Sequence, residues 1–134
     1  MTTTGYGSAV TLDRPFQEVV ADVRRVLKDQ GFGVLSEIDV QATLQEKLGE
    51  SMPPYLILGA CNPPLAHRAL QADASIGLLL PCNVVVREAG GRTVVEALDP
   101  QVMVQLTGEA ALAPVADEAA RRLVAALEAL AAAD

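Results

Sequence analysis

The chain has 134 residues, of which 51 % are hydrophobic and 20 % charged, with a net charge of −7 and only two tyrosines, two phenylalanines and no tryptophan. That is enough chain for one domain with a real core and too apolar for a disordered segment. The acidic balance, without a concentrated basic patch or stacking aromatics, argues against nucleic acid. Nothing approaches the roughly twenty apolar residues of a membrane span, and the opening MTTTGYGSAV has no basic, apolar leader pattern, so a cytoplasmic location is expected.

Residues 6–12 read as a strand with Tyr6, Ser8, Val10 and Leu12 on one face. Asp13 is placed to cap a helix in which Phe16, Val19, Val20, Val23, Val26 and Leu27 recur at helical spacing. Arg24, Arg25 and Lys28 take its outer face, and Gly31 ends it. Gly33–Ile38 reads as a second strand. Asp39 then caps a helix running to about Leu48, and Gly49 stops it.

After a two-proline loop, Tyr55–Cys61 is a nearly uniform apolar strand, as expected for a central position. Asn62-Pro63-Pro64 interrupts it, and a third helix is expected over about Leu65–Ala72. Asp73–Ile76 reads as a turn. A fourth strand falls within Leu78–Glu88, with Pro81 near its start. Ala89-Gly90-Gly91 makes a hairpin into a fifth strand, Arg92–Leu98. Arg87, Glu88, Arg92 and Glu96 decorate that hairpin as cross-strand charges. Asp99-Pro100 opens a short helical turn to about Leu106, and a long alanine-rich helix runs from Pro114 to about Ala132.

This order predicts a single α+β domain over residues 1–134: an antiparallel sheet with the first and last helices on one face. The helices at 40–48 and 65–72 are candidates to cover part of the other face. A second copy of the chain is expected to cover the rest, as a twofold homodimer.

Several blocks carry a resemblance. They are Gln30-Gly31-Phe32-Gly33-Val34-Leu35, Ser36-Glu37-Ile38-Asp39, Glu46-Lys47-Leu48-Gly49, the run from Tyr55 to Pro63, Leu79-Leu80-Pro81-Cys82-Asn83-Val84, and Asp99-Pro100. In this order, and over nearly the whole chain, they resemble the bacterial and archaeal family catalogued as domain of unknown function 302. The resemblance implies a TATA-binding-protein-like β-α-β4-α topology in one copy, with extra helices, and a homodimer. It implies no activity, and fold alone does not supply one. Cys61 before Asn62-Pro63, and Cys82 after Leu79-Leu80-Pro81, look like a cysteine-bearing subgroup.

The chemistry-bearing residues concentrate between Tyr55 and Glu88, where both cysteines and the only histidine lie. If the strands ending at Cys61 and starting near Cys82 are antiparallel neighbours, the two thiols meet at one end of the sheet. Such a pair can bind a small ligand or a soft metal, with His67 as a third ligand. It can also act as a redox dithiol or supply one nucleophilic thiolate for sulfur transfer. Equally, both cysteines can pack as small hydrophobes in a module with no small-molecule site. Asn62 and Asn83 adjoin the cysteines and serve either turn backbone or a ligand. Glu37 can approach the same corner and pair with Lys47. No nucleotide, hydrolase or metalloprotease motif is present, so no cofactor is indicated.

Overall fold

The computed structural model describes residues 1–134. In chain order the elements are β1 (Thr2–Thr3), β2 (Gly7–Leu12), α1 (Phe16–Asp29), β3 (Gly33–Asp39), α2 (Val40–Leu48), β4 (Tyr55–Cys61), α3 (Pro63–Ala72), β5 (Cys82–Ala89), β6 (Arg92–Leu98), α4 (Gln101–Thr107) and α5 (Ala113–Ala132). Two 3-10 segments, Ala74–Leu79 and Ala110–Leu112, join α3 to β5 and α4 to α5. Every pairing in the six-stranded sheet is antiparallel, in the order β1-β2-β6-β5-β4-β3. The chain is an α+β fold with the expected β-α-β4-α frame, to which β1, α2, α3 and α4 are added.

The local chemistry explains most boundaries. The Asp39 carboxylate accepts a hydrogen bond from the Ala42 N–H at 2.9 Å, and Gly49 closes α2 in the left-handed region at φ 68°. Gly90 and Gly91 both have positive φ, as a two-residue hairpin between β5 and β6 requires. Asp13, read as a helix cap, is not one. Pro15 occupies that position without a side-chain cap, and Asp13 instead bonds Arg92 on β6 at 2.6 Å. The fourth strand of the expected series starts at Cys82, directly after Pro81 as expected, and runs one residue further, to Ala89. Ile76 is drawn into the core, so residues 74–79 coil into the 3-10 segment and the ladder starts only after Pro81, which has no N–H to give. Tyr6 lies outside β2 and is exposed, whereas Val10 and Leu12 face inward.

α1 and α5 lie together on one sheet face. Their inward residues, Val19, Val23 and Leu27 from α1 and Leu123, Leu127 and Leu130 from α5, join Leu58, Val84, Val86 and Val95 of the strands in the main core. A second, smaller core forms beside it from Leu65 and Ala69 of α3, Ile76, Met103 of α4, Leu112, and Val115, Ala116 and Ala119 of α5. One helix therefore serves both cores, its first half in one and its second half in the other.

This arrangement corrects the expectation for the two inserted helices. α3 packs against α5 and the second core, and α2 buries no residue. Neither shields the second sheet face. That face carries Ile57, Val85, Val94 and Ile38, with an Arg87–Glu96 ion pair at 2.8 Å among them, and no helix lies over it.

Candidate functional site

The strand ending in Cys61 and the strand beginning with Cys82 are immediate neighbours, and Cys82 stands opposite Ala60. Cys61, one residue further on, stands opposite Gly33 on the other flank of β4. Asn62 then leaves the strand and caps α3, its Oδ1 accepting the Leu65 N–H at 3.2 Å, with Pro63 and Pro64 in the first helical turn. Behind it, Gly31 turns the end of α1 into β3 at φ 84°. A Cβ there would come within 2.9 Å of Asn62 Nδ2 and 3.0 Å of Arg122 Nη1. Arg122 of α5 fixes this turn from the other side by donating to the Gln30 carbonyl at 3.1 Å.

These elements enclose a cavity of ≈ 280 Å³ whose fifteen lining residues include thirteen hydrophobic ones. It lies in the seam between the two cores. Phe32, Ala60 and Cys82 belong to the main core, and Leu65, Ala69, Met103, Val115 and Ala119 to the smaller one. The space exists because α3 and α5 present alanines, Ala66, Ala69 and Ala119, where larger side chains would close the seam. Interiors are otherwise close-packed, with few voids larger than a water molecule. The mouth is flanked by Leu35 and Leu70, which are 72 % and 44 % exposed.

The polar chemistry of the cavity is sparse. Cys61, Asn62 and Cys82 line it, and both cysteines are free thiols. Burial pushes the Cys82 thiol up to about 11, and the adjacent Cys61 adds to the rise. Cys82 is therefore a neutral thiol at physiological pH. Asn62 has spent its carbonyl oxygen on the helix cap. No charged side chain reaches the wall.

Of the residues singled out from the sequence, Cys61, Asn62 and Cys82 come together and the others do not. Asn83 is exposed, opposite Gly59, on the other sheet face from Cys82, as strand alternation dictates. His67 is exposed and does not line the cavity, because Leu65, Ala66, Ala69 and Leu70 form the inward side of α3. The three-ligand metal set of Cys61, Cys82 and His67 is not assembled, and no group of three or more His, Cys, Asp and Glu residues is placed to hold an ion. Glu37 pairs with Arg24 of α1 and not with Lys47, which is exposed on α2. A bulge between Val34 and Ser36 causes this, since one extra residue turns Glu37 to the helix side of the sheet, opposite Leu58. No local pattern marks Phe32, Met103, Val115 or Ala119 as cavity walls. The only hint was the alanine content of α5.

No curated protein matches the chain. A crystal structure of an uncharacterised conserved DUF302 protein from Bacillus stearothermophilus is similar to it, at 32 % sequence identity and a TM-score of 0.87, covering 93 % of this chain and 98 % of that one. No helix is long and apolar enough to cross a membrane. The domain of unknown function DUF302 matches residues 8–130, so the frame, the match along its length and the solved relative agree, and the chain belongs to the DUF302 family.

Proposed function

We propose that this protein binds a small neutral, apolar molecule in the seam cavity beside Cys61 and Cys82. The observation that carries this reading is a ≈ 280 Å³ space with thirteen hydrophobic residues of fifteen, near the lower end of the sizes usual for small-molecule sites. An uncharged wall excludes an ionised group from the interior, because burying a charge without a partner is costly. A test is to titrate the protein with 1-hexanol while following the backbone amides of Ala69, Cys82 and Ala119. Shifts confined to the seam that vanish in an Ala119→Leu variant support the reading. A folded protein with no shifts at saturating hexanol sinks it.

A soft metal or thiol redox chemistry is a second reading, favoured by one observation: Cys61 and Cys82 line the same cavity, close enough for Cys61 to add to the rise of the Cys82 thiol. Its weakness is the raised Cys82 thiol, since metal ligation and nucleophilic attack both need the thiolate. Alkylation of both cysteines at equal rates at neutral pH would restore it.

The sheet face without helices, where Ile38 is exposed and Ile57 and Val85 are half-buried, supports a homodimer as the working form, with a second copy covering these side chains. Light scattering of the purified chain tests this, and a monomer at high micromolar concentration removes it. Two free thiols also suit a reducing compartment, which supports placing the protein in the cytoplasm.

A further inference from the structure

We infer that the ligand is a single-chain amphiphile: an unbranched alkyl chain enters the seam cavity and its non-anionic polar end stays in solvent beyond Leu35 and Leu70. This rests on the reading of the cavity as a small-molecule site and specifies the class of molecule. Three observations converge on it. The cavity holds only about nine non-hydrogen atoms if each takes roughly the 30 Å³ of a liquid water. Its wall offers little to a polar head: no charge is present, Asn62 Oδ1 is committed to the helix cap, and what remains is the Asn62 amide N–H and two thiols.

The third observation is at the mouth. Leu35 and Leu70 line the cavity and yet are 72 % and 44 % exposed. A molecule confined to the cavity leaves them in water. A chain that runs out between the β3 bulge and α3 covers both, and its head then lies where nothing restricts size. The net charge of −7 disfavours an anionic head by long-range repulsion.

The experiment is calorimetric titration of the intact protein with linear 1-alkanols from hexanol to dodecanol, and with alkyl glucosides of the same chain lengths below their micelle concentrations. Affinity is expected to rise about fourfold per methylene, continuing past nine carbons as the chain reaches the leucine rim. Glucoside and alkanol of equal chain length should bind within about threefold of each other, because the head is outside. The rim variants Leu35→Ser and Leu70→Ser should weaken dodecanol binding far more than hexanol binding, and so flatten the gain beyond nine carbons. If hexanol binds but affinity stops rising within the cavity's capacity, or the glucoside head abolishes binding, the amphiphile is overturned while the cavity reading stands. If no probe binds, hexanol included, both fail. If the leucine variants change the oligomeric state and leave chain-length dependence intact, the rim is covered by protein and the proposal is overturned.

Discussion

The side chain of Asn62 accepts a hydrogen bond from the backbone N–H of Leu65, and this one contact joins the end of β4 to the helix that walls the cavity. Replacing Asn62 by alanine leaves the Leu65 N–H, the first that α3 has after its two prolines, without a partner. The expected loss is about 1 kcal/mol, the usual value for a cap of this type. Urea denaturation should show it as a lower midpoint with an unchanged slope. Asn62→Ser, which keeps a capping oxygen, should recover most of the loss, and an equal loss in both variants would mean that the amide is needed for something other than the cap.

The Cys82 thiol should make stability fall at alkaline pH. Its folded value of about 11 lies above the ordinary 9.0, so in that interval the unfolded chain has released a proton that the folded chain still holds. The stabilisation is complete below about pH 9 and is lost as pH rises through 11, up to about 3 kcal/mol at 1.36 kcal/mol per unit. The Cys82→Val variant should lack this slope. Unfolding free energies of both proteins at pH 8 and pH 11 check it, and parallel curves would refute it.

The same two thiols should differ in reactivity. Cys61 is half-buried at the cavity, whereas Cys82 is buried and protonated at neutral pH. A disulfide exchange reagent at pH 7.5 should modify one thiol per chain in the native protein and two after denaturation. Mass spectrometry should locate the first on Cys61.

Gly59 should not tolerate a side chain. A Cβ there would meet the Pro81 ring at 2.8 Å and collide with the Ser36 side chain. Gly59→Ala is expected to destabilise by about 1–3 kcal/mol, the range of overpacking in a filled site. Adding Ser36→Gly removes one of the two obstacles, so thermal melting of the double variant should show partial recovery rather than an additive loss.

The Arg87–Glu96 pair reports on the second sheet face. Both side chains are about one-third exposed, at 34 % and 33 %. A double-mutant cycle on a monomeric chain should give about 0.2–1 kcal/mol of coupling, reduced by salt. If two copies meet across this face, the coupling grows with protein concentration and resists salt.

Most of the frame was legible because its signals are local. The 3.6-residue recurrence from Phe16 to Leu27, the Gly90-Gly91 hairpin and the apolar run at Tyr55–Cys61 each fix an element without outside information. The meeting of Cys61 and Cys82 followed from antiparallel neighbours. Other features turn on events no local pattern reports. The bulge at Leu35 inverts which side of the sheet Glu37 faces, so its pairing with Arg24 rather than Lys47 is a matter of one residue of register. The side on which α3 packs was equally hidden, because its alanines fit against a sheet or a helix alike. Met103 and Ala119 reach the cavity only through α4 and α5, far along the chain from both cysteines.

α5 is the single element common to both cores, and that gives it a mechanical role. The structure can come apart in stages: α3, α4 and the first half of α5 rest on eight buried residues, whereas the second half of α5 is tied into the twenty-residue core of the sheet. Amide exchange should therefore run fastest in α3 and α4, slow abruptly along α5 between Ala119 and Leu123, and be slowest in β5 and β6. A molecule lodged in the seam would lean on the point where the soft half joins the stiff one, stiffening the first while leaving the sheet as it was.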